Sequence, residues 1–290
     1  MNSANPNPAQ AAPTASALSV GSIAFIGGGN MASALIGGLL RQGLRASQIK
    51  VVEPFAEARE RLATQFKVLA QASSGPQLRG SDLVVWAVKP QTFREAATQT
   101  APYTTESLHL SVAAGIRSDS IARWLGSERV VRCMPNTPAL IGKGITGLFA
   151  RPGVGAKDRT LAEQVLQPSG ELLWVSEEPM LDAVTALSGS GPAYVFYFLE
   201  AMMQAGQDMG LNAPQARQLA IATFAGAAAL AQASEEPLSL LRERVTSKGG
   251  TTHAALSSME ADQVKAALVR AMQAARQRAA EMGDEFGATG

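Results

Sequence analysis

Between Ser22 and Val175 the chain alternates short, mostly apolar runs with segments of helical period. Residues 22–27 (SIAFIG), 49–53 (IKVVE), 82–88 (DLVVWAV), 107–115 (SLHLSVAAG), 129–134 (RVVRCM), 144–150 (GITGLFA) and 170–175 (GELLWV) predict strands, and their near-continuous apolar character predicts burial on both faces. Residues 30–43 place Met31, Leu35 and Leu39 on one helical face, with Gly43 as the stop. Residues 56–66 and 156–167 read as further helices, and Pro90 opens another. Alternating strands and helices predict an α/β unit, a parallel sheet covered on both sides.

The pattern changes near Glu178. From Leu181 to about Met282 no segment reads as a strand, and residues 191–210, 213–233 and 261–282 are long, Ala-rich and helical. The expected organisation is a sheet domain over 20–178, a helical domain over 179–290, and a leader over 1–19. That leader carries no Lys, Arg, Asp or Glu, which fits neither a signal peptide nor a transit peptide and predicts disorder. Helices such as AIATFAGAAALA (residues 220–231) are apolar around much of their circumference. A small helical domain cannot bury all of that alone, so a second chain is expected to cover it.

Apolar residues make up 46% of the 290 and charged residues 17%, with a formal net charge of +1, as in a soluble globular protein. That balance leaves no electrostatic footprint for nucleic acid and no basic face for a membrane, and no run is long enough to span one, so the expected partner is a small molecule. The one cysteine, Cys133, cannot form an intrachain disulfide, which suits a reducing, cytoplasmic setting. Cys133 ends an apolar run far from His109 and His253, and reads as structural. No Cys/His cluster points to a metal.

The chemistry begins at GGGNMA: Gly27, Gly28, Gly29, Asn30, Met31 and Ala32. Read as G-x-G-x-x-A, Gly27 permits a tight turn, Gly29 lets the backbone approach a pyrophosphate, and Ala32 lets the helix pack close to the strand. The helix N-terminus adds free N–H groups and a positive dipole end. Glu53, at the end of the second strand, is placed to accept from the ribose 2′-hydroxyl of NADH and would repel a 2′-phosphate. Arg59 and Arg61 read as a solvated helix face. These features predict a Rossmann-like, mostly parallel sheet with a nicotinamide dinucleotide at its carboxyl edge. The turns Ala87-Val88-Lys89-Pro90 and 133–138 (CMPNTP) fall at that edge. Lys89 reads equally as a surface residue or as facing the cofactor. Asn136 reads equally as a nicotinamide contact or as an Asx-turn residue stabilising its own loop.

Two Ser/Gly turns feed helices in the second half: LSGSGPAY (187–194) and VTSKGGTTHA (245–254). Each could be plain N-capping, by Ser190 and by Thr251 or Thr252. Two such starts in one domain favour a carboxylate-binding role.

Taken in order, FIGGGNMA, AVKP, MPNTP, DAVTALSGSGPAY and VTSKGGTTHAAL resemble the pyrroline-5-carboxylate reductase family from about residue 20 to 282. The resemblance implies that Ser247, Gly249, Gly250, Thr251 and Thr252 hold the substrate carboxylate, with Ser190 beside them. Thr252 would be the catalytic position near the ring nitrogen. It implies a cofactor surrounded by residues 27–32, 87–90, Val112, Ala113, Ala114 and Asn136, and a homodimer through the C-terminal helices, assembled further as a decamer of dimers. Lys248 stands where the family often has Pro. The family usually takes NADPH, whereas Glu53 argues for NADH. A β-hydroxyacid dehydrogenase shares the two-part plan but uses a lysine on a second-domain helix, and no lysine occurs between Asp158 and Ser247. A non-catalytic nucleotide-binding protein would have no need of Ser247 and Thr252 beside a carboxylate cradle.

Overall fold

The computed structural model describes residues 20–288; the leader over 1–19 lies outside the described residues. Eight strands form one sheet: β1 (Ile23–Ile26), β2 (Ile49–Val52), β3 (Ala70–Gln71), β4 (Leu83–Trp86), β5 (Leu108–Ser111), β6 (Val130–Met134), β7 (Gly144–Ala150) and β8 (Gly170–Trp174). Their spatial order is β3-β2-β1-β4-β5-β6-β7-β8, and every pair is parallel except β6 with β7. The chain from Met134 to Gly144 is too short for a helical crossover, so it returns antiparallel.

Helices α1 (Asn30–Arg41), α2 (Ala56–Phe66), α3 (Pro90–Thr100), α4 (Ser118–Leu125) and α5 (Ala156–Leu166) cover the sheet. Successive β1 residues feed two different cores. Ile23 and Phe25 join Leu35, Ile36 and Leu39 of α1, while Ala24 and Ile26 join Trp86, Phe93 and Ile116 on the opposite face. That division is why the strand shows no alternation. Pattern reading missed β3, a two-residue edge strand that follows Lys67 in the left-handed region (φ 57), and α4, whose first turn has no N-cap side-chain signal.

The remaining elements are helical: α6 (Met180–Val184), a π-helical turn over Thr185–Gly189, α7 (Gly191–Asp208), α8 (Ala213–Gln232), α9 (Leu238–Arg244), α10 (Thr251–Ala261) and α11 (Val264–Ala288). The helix expected over 261–282 is therefore displaced. Gln263 takes the left-handed conformation (φ 54), which separates α10 from α11, and α11 continues to residue 288. Asn212 caps α8 reciprocally with Gln215. Among the described residues of α7 and α8, only the small Gly206, Ala216 and Ala220 are buried. Phe196 (59% exposed), Tyr197 (72%) and Leu230 (72%) face outward. These helices lack a core of their own, the condition expected of a surface that a second chain covers.

Candidate functional site

At the carboxyl end of β1 the chain turns at Gly27, which is buried with φ +96 and donates its N–H to the Val52 carbonyl at 2.8 Å. A Cβ there would overlap the Ala87 carbonyl and lie 3.2 Å from a Val88 methyl, so glycine joins the 27–32 and 87–90 turns. At Gly28 a Cβ would meet Leu62 Cδ1 at 2.7 Å. Gly29 differs: it is exposed, and nothing lies within 4 Å of where its Cβ would be. Ala32 is fully buried. Gly29 is the extended N-cap of α1, with no side-chain cap and no acid in the first turn, so no carboxylate competes for the leading N–H groups. This is the open, uncapped cradle that a pyrophosphate fits.

Glu53 is 6% exposed. Its Oε2 accepts from the Gly28 N–H at 2.7 Å and its Oε1 from the Phe55 N–H at 2.9 Å. The carboxylate thus clamps the glycine loop to the end of β2. Arg59 departs from the expectation of a solvated face. It is half-buried, and its Nη1 donates to the carbonyls of Glu53 (2.9 Å) and Pro54 (2.6 Å). Arg61 is exposed, as expected.

Lys89 is exposed at the N-terminus of α3, and Pro90 takes the first helical position. Val112 follows β5, its N–H bonded to the Trp86 carbonyl at 3.0 Å; Val112 and Ala114 are half-buried and Ala113 is buried. Asn136 does not make an Asx-turn. Its Oδ1 accepts from the Ile145 N–H at 3.1 Å, and its Nδ2 donates to Ser188 Oγ at 3.2 Å, tying the β6–β7 connection to the π-helical turn. A side chain at Gly189 would strike Met134 Cε, so the turn lies against the end of β6. Ser188 lies inside a stretch the sequence singled out, but its bond partner is not legible there. A π-turn of this kind often marks a functional site.

Plain capping does not account for the Ser/Gly turns. Ser190 makes no side-chain cap; its N–H continues the π-turn to the Thr185 carbonyl at 2.8 Å. Helix α10 is preceded by Gly250, not by a threonine, and again lacks a side-chain cap. Ser247, Lys248, Gly249 and Thr251 are exposed, and Gly250 and Thr252 half-buried. The hydrogen bonds described for this loop are local: Thr246 Oγ1 to the Arg242 carbonyl at 2.6 Å, and the Gly250 N–H to the Ser247 carbonyl at 3.0 Å. The structure thus gathers residues 27–32, 53, 87–90, 112–114, 136 and 188–190 along one edge of the sheet, and the contacts described for 247–252 do not join that group. His253 is exposed and lines a groove between α9 and α10 with Arg242, Glu243 and Glu260.

Two buried groups next to the site carry no chemistry. Burial pushes the Cys133 thiol far above its ordinary range, which leaves it protonated. His109 is held neutral: burial first, and the Arg129 charge second, lower its pKa from 6.5 to about 4. Among the described residues no group of His, Cys, Asp and Glu could hold a metal ion, and no helix is long and apolar enough to cross a membrane.

The chain is similar to known proteins along both of its parts. The family profile "Pyrroline-5-carboxylate reductase dimerisation" matches residues 178–282, and "NADP oxidoreductase coenzyme F420-dependent" matches residues 22–115. A pyrroline-5-carboxylate reductase of Pseudomonas aeruginosa is 45% identical over 267 residues, covering 91% of this chain and 98% of that one. Among solved structures, the pyrroline-5-carboxylate reductase of Coxiella burnetii superposes with a TM-score of 0.85 at 35% identity, over 91% of this chain and 98% of its own. The Plasmodium falciparum pyrroline carboxylate reductase with NADP bound superposes with a TM-score of 0.82 at 27% identity, over 92% and 100%.

Proposed function

Because the chain belongs to the pyrroline-5-carboxylate reductase family, and so reduces 1-pyrroline-5-carboxylate to L-proline with NAD(P)H as the last step of proline biosynthesis, we propose that the sheet edge holds the cofactor while the 247–252 loop holds the substrate. The observation that carries this reading is the open, uncapped glycine cradle, with Gly29 facing space and the loops after β4, β5 and β6 beside it. The division of labour follows residues 20–178 and 179–290.

The 27–32 turn receives the pyrophosphate on the backbone N–H groups from Gly29 onward, since those of Gly27 and Gly28 are bonded to Val52 and Glu53. Val88 and residues 112–114 border the nicotinamide, and Asn136 holds the β6 end and the Ser188 turn together beneath it. Glu53 keeps a spare lone pair on each oxygen, which can accept from the ribose hydroxyls of NADH. Arg59, held over the same strand end, offsets part of the repulsion Glu53 exerts on a 2′-phosphate. The enzyme then uses both cofactors, with NADH favoured.

Ser247 and the N–H groups of Thr251 and Thr252, in the turn around Gly250, take the substrate carboxylate, while the Gly250 N–H closes the turn on the Ser247 carbonyl. Gly249 (φ +75) makes the turn that exposes those groups, and Ser190 closes the site from the π-turn. When bound, the dihydronicotinamide supplies a hydride to C5 of the imine. The protein's task is alignment, with reacting carbons about 3–3.5 Å apart. The imine nitrogen is basic enough to be protonated from water, so no strong general acid is required, and the Thr252 hydroxyl orients that nitrogen.

Since the 247–252 loop bonds only to its own surroundings, it serves the sheet edge of the partner subunit in a homodimer formed by the C-terminal helices. A decamer of dimers is the higher assembly, and the free Cys133 suits a cytoplasmic setting. Thr252→Ala tests the assignment: kcat should fall roughly a hundredfold, within the range of a lost positioning group, while the cofactor Kd changes little. Equal losses in both would remove Thr252 from the substrate site.

A further inference from the structure

The end of α11 returns to the sheet domain. Met282 and Phe286 lie against Gly115, where an added Cβ would stand 3.1–3.2 Å from both side chains, and Phe286 packs on the core cluster that contains Ile116. Arg117 follows directly. Its Nη1 reaches both oxygens of the buried Asp182, at 2.9 and 3.1 Å, and its Nη2 donates to the Ala280 carbonyl of α11 at 3.4 Å. The guanidinium lies flat on Gly283: a Cβ there would fall 2.7 Å from Cζ and 2.8 Å from Nη2. A buried glycine inside a helix has a conformational cost, and here, near the end of α11, it makes room for the arginine. Arg117 thus ties three elements together: the loop that continues from Val112–Ala114, the start of the helical region at α6, and the last turns of α11. None of these contacts is required to build the sheet.

We propose that the end of α11 is a strap that sets the Val112–Gly115 loop, and that Arg117 is a positioning residue for the cofactor, acting through this loop. The proposal rests on the reading above that residues 112–114 border the nicotinamide. Without the ion pair, a buried Asp182 is left uncompensated, α11 lifts from Gly115, and the loop loses its backing on the side away from the cofactor. The energetic signature is loosened cofactor binding with little change in substrate capture, because the contacts described for Arg117 involve no residue of the 247–252 loop.

The test uses full-length dimeric enzyme carrying Arg117→Met, which keeps the aliphatic stem and removes the charge. Two quantities are read: backbone amide exchange of residues 112–116 in the cofactor-free protein, and Kd for NADPH and NADH by fluorescence titration. The strap predicts faster exchange of this segment alone, and a Kd and cofactor KM raised by about tenfold. The KM for pyrroline-5-carboxylate should stay within about twofold. Should Arg117→Met fail to fold, Gly283→Ala is read the same way, since it keeps every charge and wedges one methyl under the guanidinium. Unchanged exchange at 112–116 overturns the strap. Faster exchange with unchanged Kd overturns the positioning role and places the fault in the assignment of 112–114 to the cofactor.

Discussion

Acidification should destabilise the fold through one buried imidazole. His109 is 1% exposed on β5, and Trp86 Nε1 donates to its Nδ1 at 3.2 Å. An indole N–H can only donate, so Nδ1 is the acceptor, and the proton resides on Nε2, facing the Thr104 backbone. Protonating the ring would break the Trp86 bond and bury a charge near Arg129. Its folded pKa is therefore lowered to about 4, against 6.5 in the unfolded chain. Between those values the unfolded chain binds more protons, so stability is complete above about pH 6.5 and falls as pH drops toward 4. Linkage gives a loss at pH 4.5 of about 2–3 kcal/mol, larger still below pH 4. Urea unfolding of the wild type and of His109→Gln at pH 7.5 and 4.5 isolates this quantity, because the amide preserves an acceptor and a donor but does not titrate. The wild type should lose about 2–3 kcal/mol more than the variant over that interval. With 2 histidines in the chain, the variant also assigns the His109 resonance by its disappearance. Parallel losses in the two proteins, or a His109 resonance titrating near 6.5, would refute the reasoning.

Three further outcomes follow from the site. Gly27→Ala forces a side chain into the Ala87 carbonyl at φ +96; cofactor Kd should rise by at least roughly tenfold, in line with a strained left-handed residue, and an unchanged Kd in a titration would contradict the tight turn. Glu53→Ser removes the clamp on Gly28 and Phe55 as well as the ribose acceptor; NADH affinity should fall by about tenfold, the scale of one lost charge-assisted hydrogen bond, and NADPH by less, so parallel kinetics with an unmoved ratio would remove the ribose contact. Cys133, buried and with its thiol pKa raised, should resist thiol reagents at pH 8 until the chain unfolds; rapid modification of native enzyme would contradict its placement.

What the sequence made legible depended on whether the signal was local. Continuous apolar runs identified seven strands; β1, β4 and β5 are buried on both faces, whereas β8 at the sheet edge is only half-buried, against the expected burial, and the glycine loop identified itself through turn chemistry at Gly27. The two-residue β3 is too short to carry a period. The helix break at Gln263 depends on a left-handed residue that is not glycine. The substrate-loop resemblance pointed to the right family, yet the roles of Arg59, Asn136 and Ser188 were not readable. Arg59 reaches carbonyls five and six residues back, and Asn136 bonds to a hydroxyl 52 residues away. The Arg117–Asp182 pair spans 65 residues and left no trace in any local pattern. Ser190 shows the opposite failure: its sequence context suggests an N-cap, but a π-turn carries the chain into α7 and the hydroxyl makes no cap.

The most direct measurement of the central claim is oxidation of NADH and of NADPH, in parallel, by purified dimer with and without pyrroline-5-carboxylate. The account predicts imine-dependent oxidation of both cofactors, proline as the product, and a higher kcat/KM with NADH. Dimeric protein that binds cofactor yet oxidises neither would contradict it, and would mean that the Ser247–Thr252 cradle holds a different small acid.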